Sequence, residues 1–216
     1  MVFDNDGTLY PSGPAVGRAV LEAHRRYVAE HGLAIPTPDL QWLSHMIGAD
    51  AREFYGAMMP DQPESVRREF EEFCLDYERR AVREHPHMYE GAEGVLSALK
   101  HAGRWLVMVT NGGPTYVQHI WDTCGYGRFF DAVYPFGPPD YASKAERLMR
   151  AVADWGRPAV MVGDRASDRT AAEQVGIGFI GCAYGYAGPG ELDGAEHVVS
   201  DIRELYNLLI APEERA

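Results

Sequence analysis

Short apolar runs recur along the second half of the chain, each bounded by glycine or polar turn residues. They are RWLVMVT (104–110), FDAVYPF (130–136), PAVMVGD (158–164), GIGFIGCA (176–183) and EHVVSD (196–201). Each is short, rich in Val, Ile or Phe and poorly alternating, the pattern of strands covered on both faces. Met1, Val2 and Phe3 form a further apolar run at the start and read as one more buried strand. Between the later runs lie the helix-like segments GAEGVLSALKHAG, PTYVQHIWDTCG, SKAERLMRAVADWG and SDRTAAEQVG. Several of them close on glycine, which suits a helix C-cap. Strand and helix alternating in this way predict an α/β fold with a doubly wound parallel sheet, a Rossmann-like core.

The stretch from about Pro11 to Met88 has a different pattern. In AVGRAVLEAHRRYVAEHG, TPDLQWLSHMIG and PESVRREFEEFCLDYERRAVREHP, apolar residues recur at spacings of three and four and charges fill the other face. This predicts an all-helical domain inserted after the first strand, over residues 12–88, with residues 1–11 and 89–216 forming the α/β core. Its edges fall in YPSGP (10–14) and HPHMYEG (85–91), segments suited to hinges. The closing APEERA reads as a frayed tail.

Composition narrows the classes. With 216 residues and 46% hydrophobic content the chain can bury one good core, or one core and a smaller domain. No run of about 18 apolar residues occurs, so no membrane span is expected, and the start lacks the pattern of a secretion signal. Cys74, Cys124 and Cys182 are few, odd in number and scattered, which predicts a reducing, cytoplasmic setting. A formal charge of −12 argues against a nucleic-acid partner, since such binding rests on basic surface. Of the 20 basic residues only Lys100 and Lys144 are lysine. A lysine kept in so arginine-biased a chain marks a place that calls for a compact point charge. Lys100, in GVLSALKHAG, reads as an ordinary helix-surface lysine.

In open α/β sheets ligands bind beyond the carboxyl ends of the strands. There the first strand ends in Asp4-Asn5-Asp6-Gly7-Thr8, WLVMV ends in Thr110-Asn111-Gly112, and AVMV ends in Gly163-Asp164, with Asp168 four residues on. Lys144 opens the helix before that last strand. Asp4 and Asp6, two residues apart, point to one side in extended chain and repel each other unless a cation intervenes. Each feature has a plainer reading: Asp, Asn and Gly form turns, Asp164 and Asp168 can cap a helix, and Lys144 can be a solvated helix-start residue. GIGFIG spells GxGxxG, but it runs through a strand instead of opening a helix, so Gly176 reads as a C-cap. His85 and His87 lack partners at zinc-ligand spacing.

Taken together, DNDGTL, VMVTNG, Lys144 and VGDRASD resemble, in order and spacing, the four motifs of the haloacid dehalogenase-like hydrolase superfamily. The helical insertion and the ending AYGYAGPGELDGAEHVVSDIRELYNLL are similar to the phosphoglycolate phosphatase-like branch, in which the insertion is a cap domain. The resemblance implies an enzyme, a Mg²⁺-dependent phosphatase acting on a small phosphorylated metabolite. Asp4 would bind the metal and attack phosphorus, giving an aspartyl-phosphate, with Asp6 as acid and then base. The backbone carbonyl of Asp6 and the side chain of Asp164 would complete the ion, and Asp168 would help hold the metal shell or orient Lys144. Thr110, with Asn111 beside it, and Lys144 would receive the phosphoryl oxygens.

Within that superfamily Asp6 argues against a dehalogenase, and an insertion without lysine excludes Schiff-base phosphonoacetaldehyde chemistry. A sugar phosphomutase shares Asp4, Asp6 and the metal site and stays open. So does a non-catalytic phosphometabolite-binding protein, although the intact nucleophile and acid/base favour an enzyme. IGADAREFY (47–55) is similar to the substrate-facing loop of the branch. There Arg52 could fork onto a substrate carboxylate or phosphate, favouring a small acidic ester such as phosphoglycolate, or could be a solvated helix residue.

Overall fold

A computed structural model describes residues 1–139 and 141–210 of the chain. The APEERA tail, residues 211–216, lies outside the described residues. Among those described, six strands form one sheet: β1 (Val2–Phe3), β2 (Val107–Val109), β3 (Ala132–Tyr134), β4 (Val160–Gly163), β5 (Gly178–Cys182) and β6 (His197–Val199). Their order is β3-β2-β1-β4-β5-β6 and every pairing is parallel. Each apolar run expected to be a strand is one. The chain builds outward from β1 to β3, then crosses back to lay β4 on the other side. That makes the gap between β1 and β4 the switch point where an open sheet leaves a crevice.

The strands are short, and their alternation sorts side chains between two apolar layers. Val2, Val107, Val109, Met161 and Phe179 face helices α7 (Lys144–Trp155) and α8 (Ala166–Val175) through Leu148, Ala151, Ala171 and Ala172. Phe3, Met108, Val162 and Ile180 face the opposite way. They meet α5 (Ala92–His101), α6 (Pro114–Cys124) and α9 (Glu204–Leu209) through Leu96, Leu99, Ile120 and Leu205. Both faces are thus covered, which is why the runs read as continuous hydrophobics. Gly125 and Gly176 end α6 and α8 in the left-handed region, as glycine at that position allows.

Residues 13–84 contribute only helix. A π-helical turn over Gly13–Gly17 leads into α1 (Arg18–Glu30), followed by α2 (Leu40–Met46), α3 (Ala51–Met58) and the long α4 (Glu64–Glu84). α3 starts within the IGADAREFY segment that the sequence suggests is a loop. The Asp50 carboxylate accepts from the Glu53 backbone N–H at 2.8 Å, so Asp50 caps the helix and Arg52 falls on it. Phe70 of α4 is the aromatic hub of this region, with ring centroids 5.3 Å from Tyr27, 5.5 Å from His24 and 6.0 Å from Tyr55. The same apolar cluster runs on to Phe3 and Met108 of the sheet, so insertion and sheet share packing. No helix among the described residues is long and apolar enough to cross a membrane.

Phe70 is fully buried. Phe70→Ala is expected to lower unfolding free energy by about 3–5 kcal/mol, the usual loss for a buried aromatic truncated to Ala. Urea denaturation checks this, and a loss under about 1 kcal/mol would show that the helices are not packed as described.

Candidate active site

The carboxyl ends of β1 and β4 build the site. The Asp4 N–H donates to the Val162 carbonyl at 2.9 Å, tying the end of β1 to β4. The chain then turns at once. The Asn5 carbonyl accepts from the N–H groups of Thr8, Leu9 and Tyr10 at 3.2, 2.8 and 2.9 Å, and the Asn5 side chain accepts from the Tyr126 hydroxyl at 2.9 Å. Gly7 sits at φ +81°, and a Cβ there would lie 2.1 Å from Asp164 Oδ2. Glycine is required on both counts, conformation and close approach.

Lys144 occupies the first turn of α7, fixed by a capping box. The Ser143 hydroxyl accepts from the Glu146 N–H at 3.3 Å, and the Glu146 carboxylate accepts from the Ser143 N–H at 2.8 Å. Its ammonium reaches Asp4 Oδ1 at 2.8 Å and Asp168 Oδ1 at 2.5 Å. The other oxygen of Asp168 accepts from the Arg165 N–H at 3.0 Å at the start of α8. Asp164 accepts from Thr8 Oγ1 at 3.0 Å and from the Tyr186 N–H at 2.7 Å. Asp4, Lys144, Asp164 and Asp168 are all buried.

Three buried carboxylates against one ammonium leave two negative charges, which burial makes expensive. Burial, and then the neighbouring Asp4 and Asp168, push Asp164 well above the usual carboxylate range. Burial raises Asp168 to about 6 against the pull of Lys144. Desolvation alone would lower the Lys144 ammonium, but Asp168 and Asp4 outweigh it and hold it above its ordinary value. One oxygen from each of Asp4, Asp164 and Asp168 falls within a sphere where all lie no more than 4.8 Å apart. A hard divalent cation that takes oxygen ligands fits this donor set in charge and chemistry.

Asp6 is turned away from that cluster. Its Oδ1 accepts from the Tyr116 hydroxyl at 2.7 Å, and burial followed by the nearby Asp4 raises its carboxyl above the usual range. Thr110, also buried, directly follows β2, and its hydroxyl accepts from the Gly112 N–H at 3.2 Å. Asn111 spans from this loop to the insertion, its Nδ2 donating to the Gly48 carbonyl at 2.8 Å. Arg52 stands elsewhere: it is exposed, with its guanidinium 4.2 Å over the Tyr141 ring, and it is not on the wall of the cavity described next.

That cavity is a half-open cleft with room for a small molecule. Asp4, Asp6 and Thr110 lie on its sheet side, and helices of the insertion close the other side with Val20, Leu43, Phe54 and Tyr55. Arg165 ties the two sides at the rim, donating to the carbonyls of Ile47 and of His45 and pairing with Glu191 at 2.9 Å.

Sequence reasoning missed Arg147, only 4% exposed. Its guanidinium donates to the carbonyls of Thr110 and, at 3.1 Å each, of Tyr134 and Ala142, and to Asn111 Oδ1 at 2.5 Å. It locks the loop after β2 to the helix that carries Lys144. Its position one helical turn after Lys144 is the signal that could have found it. Tyr116 and the cavity carboxylates Glu71 and Glu78 carried no such signal.

The family model for haloacid dehalogenase-like hydrolases matches residues 1–176. A 5'-nucleotidase of Pseudomonas aeruginosa is 28% identical over 97% of this chain and 94% of its own. A phosphoglycolate phosphatase of Chromobacterium violaceum is 27% identical over 97% of this chain and 95% of its own. Among solved structures, one described as a predicted phosphoglycolate phosphatase from Haemophilus somnus superposes with a TM-score of 0.80 at 20% identity, covering 96% of each chain.

The excess charge predicts a pH signature. Because Asp164 and Asp168 are raised above the unfolded carboxylate value of about 3.9, the metal-free native state holds protons that the unfolded chain has released. Its stability therefore falls as pH climbs from about 4 through about 6, where Asp168 ionises, and on above that as Asp164 follows, and a bound divalent ion would offset that loss. Mg²⁺ at one fixed concentration, a hundred times its Kd at pH 7, should stabilise the fold by about 2.7 kcal/mol at pH 7 and by less at pH 5, where protons on the acids compete with the ion and raise Kd. Thermal unfolding checks this, and an increment that is flat with pH, or unchanged in Asp164→Asn, would contradict it.

Proposed function

This chain belongs to the haloacid dehalogenase-like hydrolases, and we propose that it is a Mg²⁺-dependent phosphatase that cleaves small phosphate monoesters through a phosphorylated Asp4. The observation that carries the reading is Asp4 itself. It is a buried carboxylate on the wall of an open cavity, held by Lys144 and grouped with Asp164 and Asp168.

Mg²⁺, held by Asp4, Asp164 and the Asp6 carbonyl with Asp168 behind them, would neutralise charge as two anions approach. The rest is done by the chain's own residues. The Asp4 carboxylate attacks phosphorus, the ester P–O bond breaks, and Asp6 gives its proton to the departing alkoxide. Tyr116 holds the Asp6 carboxyl in place through its 2.7 Å hydrogen bond. Asp6 then takes a proton from the water that attacks the same phosphorus, the bond to Asp4 breaks, and inorganic phosphate leaves. The Thr110 hydroxyl and the Lys144 ammonium bind the phosphoryl oxygens through both steps. Arg147 acts as a positioning residue, since it holds the Thr110 loop against α7.

The substrate is a small phosphorylated metabolite, and the cytoplasmic setting is supported by Cys74, Cys124 and Cys182 all being free and buried. Phosphoglycolate is the substrate named for one relative. The Arg52 side chain that would favour an acidic ester stacks on Tyr141 outside the cavity.

Phosphate release from p-nitrophenyl phosphate should require Mg²⁺ and vanish in Asp4→Asn while the fold persists. Turnover that survives this change, or that needs priming by a sugar bisphosphate, would overturn the proposal. In kcat/KM, which does not report the later hydrolysis of phosphorylated Asp4, Asp6→Asn should slow alkyl phosphates by about 10²–10⁴ but p-nitrophenyl phosphate much less, because p-nitrophenolate leaves without a proton. Equal losses on both esters would remove Asp6 as the acid.

A further inference from the structure

The half of the cavity that faces away from Asp4 and Thr110 is built by the helical insertion, and its charge is one-sided. Two carboxylates stand on it, Glu71 and Glu78 of α4, and among the described residues no Arg, Lys or His lines the cavity. The remaining insertion residues of the wall are mostly apolar, Val20, Leu43, Phe54 and Leu75 among them. The start of α6, whose amides could receive an anion, follows Thr110 after only three residues and lies with it on the phosphate side.

Glu78 is 4% exposed. Its Oε1 accepts from the Tyr55 hydroxyl at 2.7 Å, and its Oε2 has no hydrogen-bond partner. A buried acceptor left open in this way is costly, and most buried polar atoms in folded proteins are paired. Burial raises the Glu78 carboxyl to about 7 despite the Tyr55 hydrogen bond, with Asp6 and Glu71 adding to the rise. Burial, and then Glu72, raises Glu71 as well. A substrate carboxylate entering this wall would meet no cation, and Glu78 or Glu71 would have to stay protonated to receive it. A hydroxyl or ammonium would meet an acceptor that lacks a donor.

We infer that the leaving group of this enzyme's substrate carries a hydrogen-bond donor, a hydroxyl or an amine, directed at Glu78, and no carboxylate. Glu78 is then a specificity-determining residue, oriented by Tyr55, and esters of the phosphoglycolate type are poor substrates. The inference rests on the phosphatase reading above and narrows it to a substrate class. Sites that hydrogen-bond a substrate group reject analogues lacking it far more strongly than apolar walls discriminate by size.

The test compares kcat/KM of the Mg²⁺-loaded full chain on three two-carbon phosphate esters: 2-hydroxyethyl phosphate, 2-aminoethyl phosphate and phosphoglycolate. p-Nitrophenyl phosphate serves as the reference. At least one donor-bearing ester should exceed phosphoglycolate by about tenfold or more, and Glu78→Gln should shrink that ratio by weakening the donor ester and relieving the carboxylate. Tyr55→Phe should shrink it in the same direction. Hydrolysis of p-nitrophenyl phosphate with phosphoglycolate equal to or better than both donor esters would overturn this inference and leave the phosphatase reading intact. No turnover of any ester would overturn both. The wild-type ratio decides the matter even if a variant fails to fold.

Discussion

The structure depends on how a surplus of negative charge is held inside it. Asp4, Asp164 and Asp168 are buried together at the ends of two neighbouring strands, and Lys144 is the cation that touches two of them. A compact ammonium can sit between Asp4 and Asp168 at 2.8 and 2.5 Å, where a broad guanidinium would not fit the same gap. That accounts for a lysine in a chain that otherwise uses arginine 18 times out of 20. The ammonium answers one charge of three. A hard divalent cation with oxygen ligands would answer the two that remain, and without one burial raises Asp164 and Asp168 above the usual carboxylate range.

The rest of the fold serves to bring these groups to one point. β1 is only two residues long, yet it lies at the centre of the sheet and is paired on both sides, so Asp4 is carried to the switch point with little freedom. The capping box at Ser143 and Glu146 sets where α7 begins, and hence where Lys144 points. Arg147, one turn on, welds that helix to the Thr110 loop. Gly7 lets the turn after Asp4 pass within contact of Asp164. The helical insertion then roofs the site through the Asn111–Gly48 and Arg165–Ile47 contacts, which places apolar and acidic side chains opposite the phosphate end.

Much of this was legible before any coordinates. The buried strands announced themselves as unbroken Val and Ile runs because both faces of the sheet are covered, and Asp4, Asp6, Thr110 and Asp164 could be found because they follow such runs directly. Lys144 stood out by rarity. What could not be read depended on long-range contacts between side chains with no local signature. Arg147 stands one turn after Lys144, but only the fold shows its guanidinium buried against the Thr110 loop. Tyr116 reads as an ordinary packing residue of its helix, and Glu78 as one more charge on α4, so only the fold shows its carboxylate buried on the cavity wall. The IGADAREFY segment read as a substrate-facing loop only through its similarity to the family, whereas Asp50 caps a helix that places Arg52 over Tyr141.

The central claim is that the buried acids are tolerated because a divalent cation shares their charge while Asp4 takes up the phosphoryl group. A crystal structure of the protein grown with Mg²⁺ and beryllium fluoride tests it most directly. The account predicts a beryllofluoride bonded to an Asp4 oxygen, with fluorides directed at Lys144 and Thr110 and Mg²⁺ between Asp4 and Asp164. A beryllofluoride on Asp6, or Asp4 still unmodified with the cation bound elsewhere, would contradict it.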